Sequence, residues 1–489
     1  MQPIDIGDLQ LASEKSSKQS ALYAAIQEKI LNRRWPHHGR LPATRFMAKE
    51  LGLSRNTVTA VYEQLKAEGY LESRRGAGYF VNVSTPEQFL QAEDSQSSVI
   101  PLHSDDVAAV PEAFDTQKRN RAFAPGVPDL AHFPYKKWAR AMQLQFQRSF
   151  IAGQNDIQGS LTFRKALSEY LSVSRSVSAP AHRIIVTSGA QQALYIASNA
   201  ILKAGDSVMM ENPGYVQMRK VLKRSRMNIE ELPVLPKSGA DVDKIEQFEG
   251  QAVYLTPSNQ YPMGTSLNTS QRMRCIEWAS QKDRWIIEDD YDSEFQFANR
   301  PYPSLQGLAT QLHGEDARVI YIGTFSKAFL PSVRVGYLVV PEALVESCLQ
   351  IKDAIGGDTP IHIEEALAAF ITEGDYLRHI RKMRSLYQEK QRLFVELLTH
   401  ACSDQVEILS QAAGLHVTFS WKGGPTAVEV KSAFEAEGYT IRTLDYYCYQ
   451  EDNSHRSVEI DRALVAGFGN SSLNEIREGV ALLGSLIIR

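Results

Sequence analysis

Apolar residues recur at every fourth position near the start of the chain. Leu22, Ile26 and Ile30 form one stripe, which predicts a helix from Ser20 to Arg34. Trp35-Pro36 ends it, and Gly39-Arg40-Leu41-Pro42 makes a turn. A short helix from about Thr44 to Leu51 stops at Gly52. Ser54 then caps a third helix, in which Val58, Val61, Tyr62 and Leu65 share one buried face. Gly69 ends that helix. Leu71 to Arg75 and Tyr79 to Val83 read as strands around Gly76-Ala77-Gly78. Three helices and then a hairpin predict a winged helix-turn-helix over residues 1–84. Arg55, Asn56, Thr57 and Thr59 are left pointing outward near the start of the third helix. A recognition helix meets base edges and phosphates there, and Arg74 and Arg75 fall on the wing. The plain alternative is a solvated helix face.

From about Asn120 the pattern changes to alternating helices and short apolar strands. Arg183 to Thr187, Ser207 to Met210, Ala252 to Leu255 and Trp285 to Ile287 are the clearest strands. Several of these strands end in residues of distinct chemistry. Ser188-Gly189-Ala190 turns into a helix from Gln191, a combination that leaves free N–H groups facing an anion. Tyr215 stands just past a strand end, where an aromatic can stack on a flat ring or simply pack. Glu288-Asp289-Asp290-Tyr291 places carboxylates directly after a buried strand, where they need a partner or a function. A carboxylate there can keep a pyridine nitrogen protonated, and a nearby phenol can bond a ring oxygen. The alternatives are a metal site or a solvated acidic turn. No histidine joins the cluster, which disfavours a transition metal.

The next such segment is Gly323-Thr324-Phe325-Ser326-Lys327-Ala328-Phe329-Leu330-Pro331-Ser332-Val333-Arg334-Val335-Gly336-Tyr337. Apolar runs lead into it from Arg318 and out of it to Val340. A lysine in apolar surroundings loses solvation as an ammonium, so its pKa falls toward the reactive amine. Thr324, Ser326 and Arg334 can bind a phosphate beside it. An aldehyde-accepting lysine next to a phosphate site points to pyridoxal 5′-phosphate (PLP). A surface lysine on a loop is the bland reading of the same stretch.

Composition narrows the setting. The 489 residues are 43% hydrophobic and 22% charged, ordinary values for a globular protein. Four scattered cysteines form no C-x-x-C pair, which argues for a reducing, cytoplasmic setting without disulfides or a zinc site. The start of the chain lacks signal-peptide character, and no apolar run is long enough to span a membrane. The net charge of −4 is unevenly spread. Residues 1–84 carry 12 Lys and Arg against 8 Asp and Glu, whereas residues 85–116 carry seven acids and no Lys or Arg. Only the first segment therefore suits a polyanion, and 85–116 reads as an acidic flexible linker to a body at 117–489.

The run LPATRFMAKELGLSRNTVTAVYEQLKAEGYLESRRGAGYFV resembles the DNA-binding domain of GntR-type transcription regulators. That resemblance implies that Arg45, Ser54, Arg55, Asn56, Thr57 and Gly76 lie at the DNA surface, and that the protein binds pseudo-palindromic promoter DNA as a homodimer. The order of strand-end motifs after residue 120 resembles fold-type I PLP enzymes of the aspartate aminotransferase family. It implies an α/β body with a mainly parallel sheet and a smaller α+β C-terminal domain. Lys327 would form the Schiff base with the cofactor, and Asp289, or less favourably Asp290, would pair with its pyridine nitrogen. Tyr291 would bond the ring oxygen and Tyr215 would stack. Ser188, Gly189, Ala190, Thr324, Ser326 and Arg334 would hold the phosphate. A GntR-type head on such a body looks like the MocR/GabR subfamily of bacterial regulators. Phe123-Ala124-Pro125-Gly126-Val127-Pro128-Asp129 and the run from Thr256 to Gly264 are similar to that subfamily's motifs.

Two departures from the aminotransferase pattern bear on activity. Tyr261-Pro262-Met263-Gly264 stands where many aminotransferases have Asn-Pro-x-Gly, leaving Asn259 as the nearby amide. Val465 occupies the place of the late arginine that grips a substrate carboxylate, with Arg442 or Arg462 as substitutes. If neither arginine substitutes, an α-amino acid is poorly held and efficient transamination is not expected. The expectation is a PLP-dependent transcription regulator that senses PLP or an amine or amino-acid effector. A working aminotransferase is the alternative, and a body that has lost PLP and serves only as a scaffold is a further one.

Overall fold

The computed structural model describes residues 3–7, 9, 17–32, 34–74, 76–82, 120–148, 153, 156–281, 283–297, 302–449 and 460–488. The chain divides into two compact units, Met1–Val110 and Pro111–Arg489. The expected linker at 85–116, together with Arg75 and Val83, lies outside the described residues.

The first unit contains helices α1 (Lys18–Leu31), α2 (Thr44–Glu50) and α3 (Arg55–Ala67), then strands β1 (Leu71–Arg74) and β2 (Gly78–Val81). Helix α1 starts two residues before Ser20, because the Ser17 hydroxyl caps it by accepting the Ser20 N–H at 3.2 Å. Ser54 caps α3 through the Thr57 N–H at 3.0 Å. Gly76 (φ 77°) and Gly78 (φ 104°) allow the hairpin turn, which pairs Leu71 with Val81 and Arg74 with Gly78. Leu22, Ile26, Ile30, Val58, Val61, Tyr62 and Leu65 share one core, as their spacing predicts. Ile6 and Leu9 join that core from the segment before α1, where no periodicity announces them.

The second unit is built on an eight-stranded sheet. Its strands are β3 (Ile184–Thr187), β4 (Ser207–Asn212), β5 (Asn228–Leu235), β6 (Gly239–Ala240), β7 (Ala252–Leu255), β8 (Trp285–Asp290), β9 (Val319–Thr324) and β10 (Gly336–Val339). They lie in the order β3-β10-β9-β8-β7-β4-β5-β6. The run β5-β4-β7-β8-β9 is parallel, and β10 is antiparallel to both its neighbours. Alternate residues of each strand enter opposite cores. Ile287, Ile320 and Ile322 pack with the helix Ala190–Ile201, and Ile286 and Val319 pack with the helix Thr269–Gln281. β4 and β8 run further than their apolar residues predict, so Glu211 and the acids Glu288, Asp289 and Asp290 belong to the strands themselves. Hydrogen bonds to side chains and neighbouring loops take the place of apolar packing there.

A second, antiparallel sheet comes next in the chain, of β11 (Val406–Ile408), β12 (His416–Trp421), β13 (Arg442–Thr443) and β14 (Ala463–Gly467) in the order β11-β12-β14-β13. The helices Asp375–Cys402 and Leu473–Ile487 share its core through Phe394, Leu398, Val480 and Leu483. This is the smaller α+β layer expected at the C-terminal end.

Candidate functional site

The carboxyl ends of β3, β4, β8 and β9 gather the chemistry of the body. Lys327 lies just past β9 on the short helix Phe325–Ala328, and its Nζ donates to the Gly126 carbonyl at 2.5 Å. Burial pulls its pKa below the usual lysine value, while Asp292 and Asp289 push the other way. Gly126 has φ 75°, a backbone angle that calls for glycine, and a Cβ on it would lie 2.8 Å from Lys327 Nζ and push the amine aside.

Asp289 and Asp290 are neighbours that point to opposite faces of β8, which separates their roles. Asp290 Oδ2 is bound by Arg175 at 2.8 Å, by the Tyr321 hydroxyl at 2.6 Å and by the Ser293 hydroxyl at 2.8 Å, while its Oδ1 is buried without a partner. Asp289 and Lys327 are close enough for each charge to act on the other. Asp289 Oδ2 accepts the Tyr254 hydroxyl at 2.7 Å, while its Oδ1 is fully buried and has no partner. Burial lifts this carboxyl to about 7. A buried oxygen without a donor is costly, and the N–H of a pyridinium ring would satisfy it.

Tyr291 sits beside Asn259, whose Nδ2 donates to the Tyr291 hydroxyl at 3.1 Å and to both Asp292 oxygens at 3.0 Å. An amide therefore reaches the phenol even though Tyr261 replaces the usual asparagine. Tyr261 itself packs edge-on against Tyr215, Tyr291, His416 and Tyr447. Tyr215 is close enough to Asp289 and Arg334 to feel both charges, and burial raises its pKa.

The residues expected to hold an anion come from two loops. Gly189 (φ 91°) precedes the helix Ala190–Ile201, and Arg334 (φ 52°) directs its Nη2 to the Ser188 carbonyl at 3.1 Å. A Cβ on Gly189 would press to 3.0 Å on that same guanidinium. Thr324 and Ser326 join hydroxyl to hydroxyl at 3.1 Å on the other side. Every body residue singled out in the sequence for the cofactor thus lies at one end of one sheet. Their combination of amine, orphaned carboxylate oxygen, buried aromatic ring, guanidinium and paired hydroxyls fits PLP.

Side chains that sequence reasoning missed complete the site. Tyr254 is the one hydroxyl-bearing residue of a fully buried strand, and that was its signal. Glu211 fastens the loop after β7 to β4: its Oε2 accepts the Thr256 hydroxyl at 2.5 Å and Gln260 Nε2 at 3.3 Å, and burial raises it to about 7. Of the two candidate arginines, Arg442 lies directly across from Val465 on the adjacent strand and stacks 5.0 Å over Tyr446. Arg462 reaches instead toward the Gly424 carbonyl at 3.4 Å.

In the head, Arg45, Ser54, Arg55, Asn56 and Gly76 are exposed and Thr57 is half-buried. Ser54 and Thr57 join hydroxyls at 2.8 Å within the cap, which leaves Arg55 and Asn56 as the outward pair. Arg74 is drawn back along the wing: its Nε donates to Glu72 at 2.9 Å and its guanidinium lies 4.5 Å over the Phe80 ring.

The sequence matches two family models, bacterial regulatory proteins of the gntR family over residues 18–81 and aminotransferase class I and II over residues 123–444. It is 35% identical over 475 residues to the probable rhizopine catabolism regulatory protein MocR of Rhizobium meliloti, covering 96% of this chain and 93% of that one. The chain belongs to the MocR-type regulators of the GntR family. Another such regulator, the pyridoxine biosynthesis transcriptional regulator PdxR of Corynebacterium glutamicum, is 27% identical and spans 89% of this chain and 88% of its own. Among solved structures, the α-aminoadipate aminotransferase LysN of Thermus thermophilus superposes with a TM-score of 0.68 at 24% identity, covering 76% of this chain and 92% of that one. The kynurenine aminotransferase of Pyrococcus horikoshii gives 0.67 at 22%, covering 76% and 91%. These likenesses establish the fold of the MocR-type body. Among the described residues, no helix of this regulator is long and apolar enough to cross a membrane.

Proposed function

We propose that this MocR-type regulator holds PLP at Lys327 and changes its grip on promoter DNA when PLP, or an amine or amino-acid effector, engages that site. The unpartnered Asp289 Oδ1 beside Lys327 carries the reading, because a buried acceptor in that position asks for a ring N–H. Bound there, the cofactor supplies an aldehyde for amines and an electron-withdrawing ring. Lys327, its pKa drawn down by burial, is the amine that meets the aldehyde. Asp289 takes the ring nitrogen, Tyr254 fixes the carboxylate's orientation, and Tyr291 with Asn259 faces the ring oxygen. Tyr215 stacks on the ring. Ser188, Gly189, Ala190, Thr324, Ser326 and Arg334 hold the phosphate.

In the head, Arg45, Ser54, Arg55, Asn56, Thr57, Arg74, Arg75 and Gly76 form the DNA surface. Arg74 exchanges Glu72 for phosphate when DNA arrives. The protein acts in the cytoplasm as a homodimer on a pseudo-palindromic site, a reading supported by its GntR resemblance. A ligand shifts DNA binding only as far as it binds one state of the body better than the other. Val465 in the place of the carboxylate-gripping arginine favours regulation over turnover, because an α-amino acid is then poorly positioned.

The test pairs two measurements on the purified full chain. PLP addition is expected to give a visible absorption band and a borohydride-reducible adduct, and to change promoter affinity in a gel shift. Many turnovers with an amino donor and a keto acceptor, with promoter affinity unmoved by PLP or amines, would favour the enzyme instead.

A further inference from the structure

Residues 120–129 lead into the body from the stretch that joins it to the head in sequence, and they are fastened chiefly to the C-terminal layer. The Thr440 N–H donates to the Ala122 carbonyl at 3.0 Å, and the Gly467 N–H to the Phe123 carbonyl at 2.9 Å. The Phe123 N–H donates to Ser471 Oγ at 2.9 Å, and Asn470 Nδ2 reaches the Arg121 carbonyl at 2.7 Å. The Phe123 ring, fully buried, plugs in against Phe394, Phe434 and Tyr439. At the far end, the buried Lys390 Nζ donates to Asp129 Oδ2 at 2.7 Å and to the Gly469 carbonyl at 2.8 Å. Glycines make room for this close approach: a Cβ on Gly467 would lie 2.2 Å from the Ala124 carbonyl oxygen, and one on Gly469 would lie 2.4 Å from that of Val127. Midway between these anchors, the Gly126 carbonyl accepts Lys327 Nζ from the large sheet at 2.5 Å.

We propose that residues 120–129 form a latch that reports the chemical state of the Lys327 amine to the chain entering from the DNA-binding head. The proposal rests on the reading of Lys327 as the aldehyde-bonding amine. When Nζ bonds to an aldehyde carbon, the C=O bond breaks and water leaves, its oxygen from the aldehyde and its two hydrogens from the neutral amine. The neutral nitrogen then has no hydrogen to give Gly126. The carbonyl loses its donor, and the strap is held by the C-terminal layer alone. An effector amine that takes the aldehyde from Lys327, in an exchange that returns two hydrogens to Nζ, restores the donor and closes the latch. The large sheet, the C-terminal layer and the entry segment are thus coupled through one hydrogen bond whose donor is the reacting group.

Hydrogen exchange on the full chain tests this. Lys327→Met keeps most of the side-chain length but removes the donor. Without PLP, it is expected to speed exchange of the Phe123, Thr440 and Gly467 amides about tenfold over wild type, as expected for loss of one hydrogen bond. Adding PLP to wild type gives the same local rise, with the β7 amides unchanged, and adding it to the variant gives no further change. Unchanged or slowed exchange at those three amides on PLP loading of wild type overturns the latch. If the variant exchanges uniformly faster, so that it has lost its fold, the wild-type comparison decides alone. If wild type shows no PLP absorption band, the cofactor reading has failed, and the variant without PLP still decides whether the Gly126 contact holds the strap.

Discussion

The head and the body do their work under opposite solvation. In the head, Arg55 and Asn56 stand exposed on a helix whose other face is fully packed, so the residues proposed for recognition are not the ones that fold it. In the body, Lys327, Asp289, Tyr254 and Tyr215 lie among buried groups, and burial lowers the pKa of the lysine and raises those of the carboxyl and the two phenols. A surface site can therefore change with little effect on stability. A buried one cannot, since each polar group removed strands another.

The sharpest way to break this contrast is Lys327→Ala. The borohydride-reducible PLP adduct is expected to vanish entirely, while DNA binding by the head in the absence of PLP persists. An adduct that survives would place the reactive amine elsewhere. Arg55→Ala should do the reverse. Operator affinity is expected to fall by about 1–3 kcal/mol if Arg55 reads a base edge. If it meets phosphate alone, the salt slope flattens by about one unit. Thermal stability and PLP absorption stay at wild-type values in either case. An unchanged operator affinity would remove Arg55 from the DNA surface.

A third test uses pH. Asp289, Glu211, Glu288 and Glu294 are each raised to about 7 in the folded body. A carboxyl raised on folding favours the protonated native state. Its contribution is complete below about pH 4, the range of an unfolded carboxyl, and is lost as pH rises through about 7. Calorimetry of the cofactor-free protein should show the body's transition falling over that window. The head, whose Glu63 is lowered by its bonds to Tyr79 and Lys66, should not track it. Parallel behaviour of the two units would count against buried carboxyls as the source. The smallest effect is expected from Ser54→Ala, which removes the α3 cap and should cost the head about 1 kcal/mol in a denaturant melt without touching the body.

The same contrast decides what could be read in advance. The head is local: periodicity, Ser54 and the glycines of the wing specify its elements, with errors confined to helix and strand ends. The body's site residues announced themselves as odd polar groups at strand ends, but their pairing did not. Nothing in Glu288-Asp289-Asp290 says which carboxylate comes close to the lysine, because that depends on which face of β8 meets which core. Asp290 is taken instead by Arg175, which lies 115 residues away in the sequence. The Tyr254 bond to Asp289 and the Gly126 bond to Lys327 span 35 and 201 residues. Such contacts are set by sheet order, which short-range patterns do not encode. The segment around Ile6 and Leu9 escaped notice for another reason, since two apolar residues in a short run carry no period.

The reversed direction of β10 has a consequence for how this site can evolve. Gly336 faces Thr324 on one side and Thr187 on the other. The lysine loop and the anion turn therefore spring from either flank of a single residue, roughly one strand spacing away each way. A Cβ there would lie 2.7 Å from the Gly189 backbone. Side-chain growth at Gly336, or a change in length between Thr324 and Gly336, would displace both halves of the pocket together. Tyr261 and Tyr447 come from other segments, but they share a hydroxyl contact at 2.9 Å, so they too would have to change as a pair.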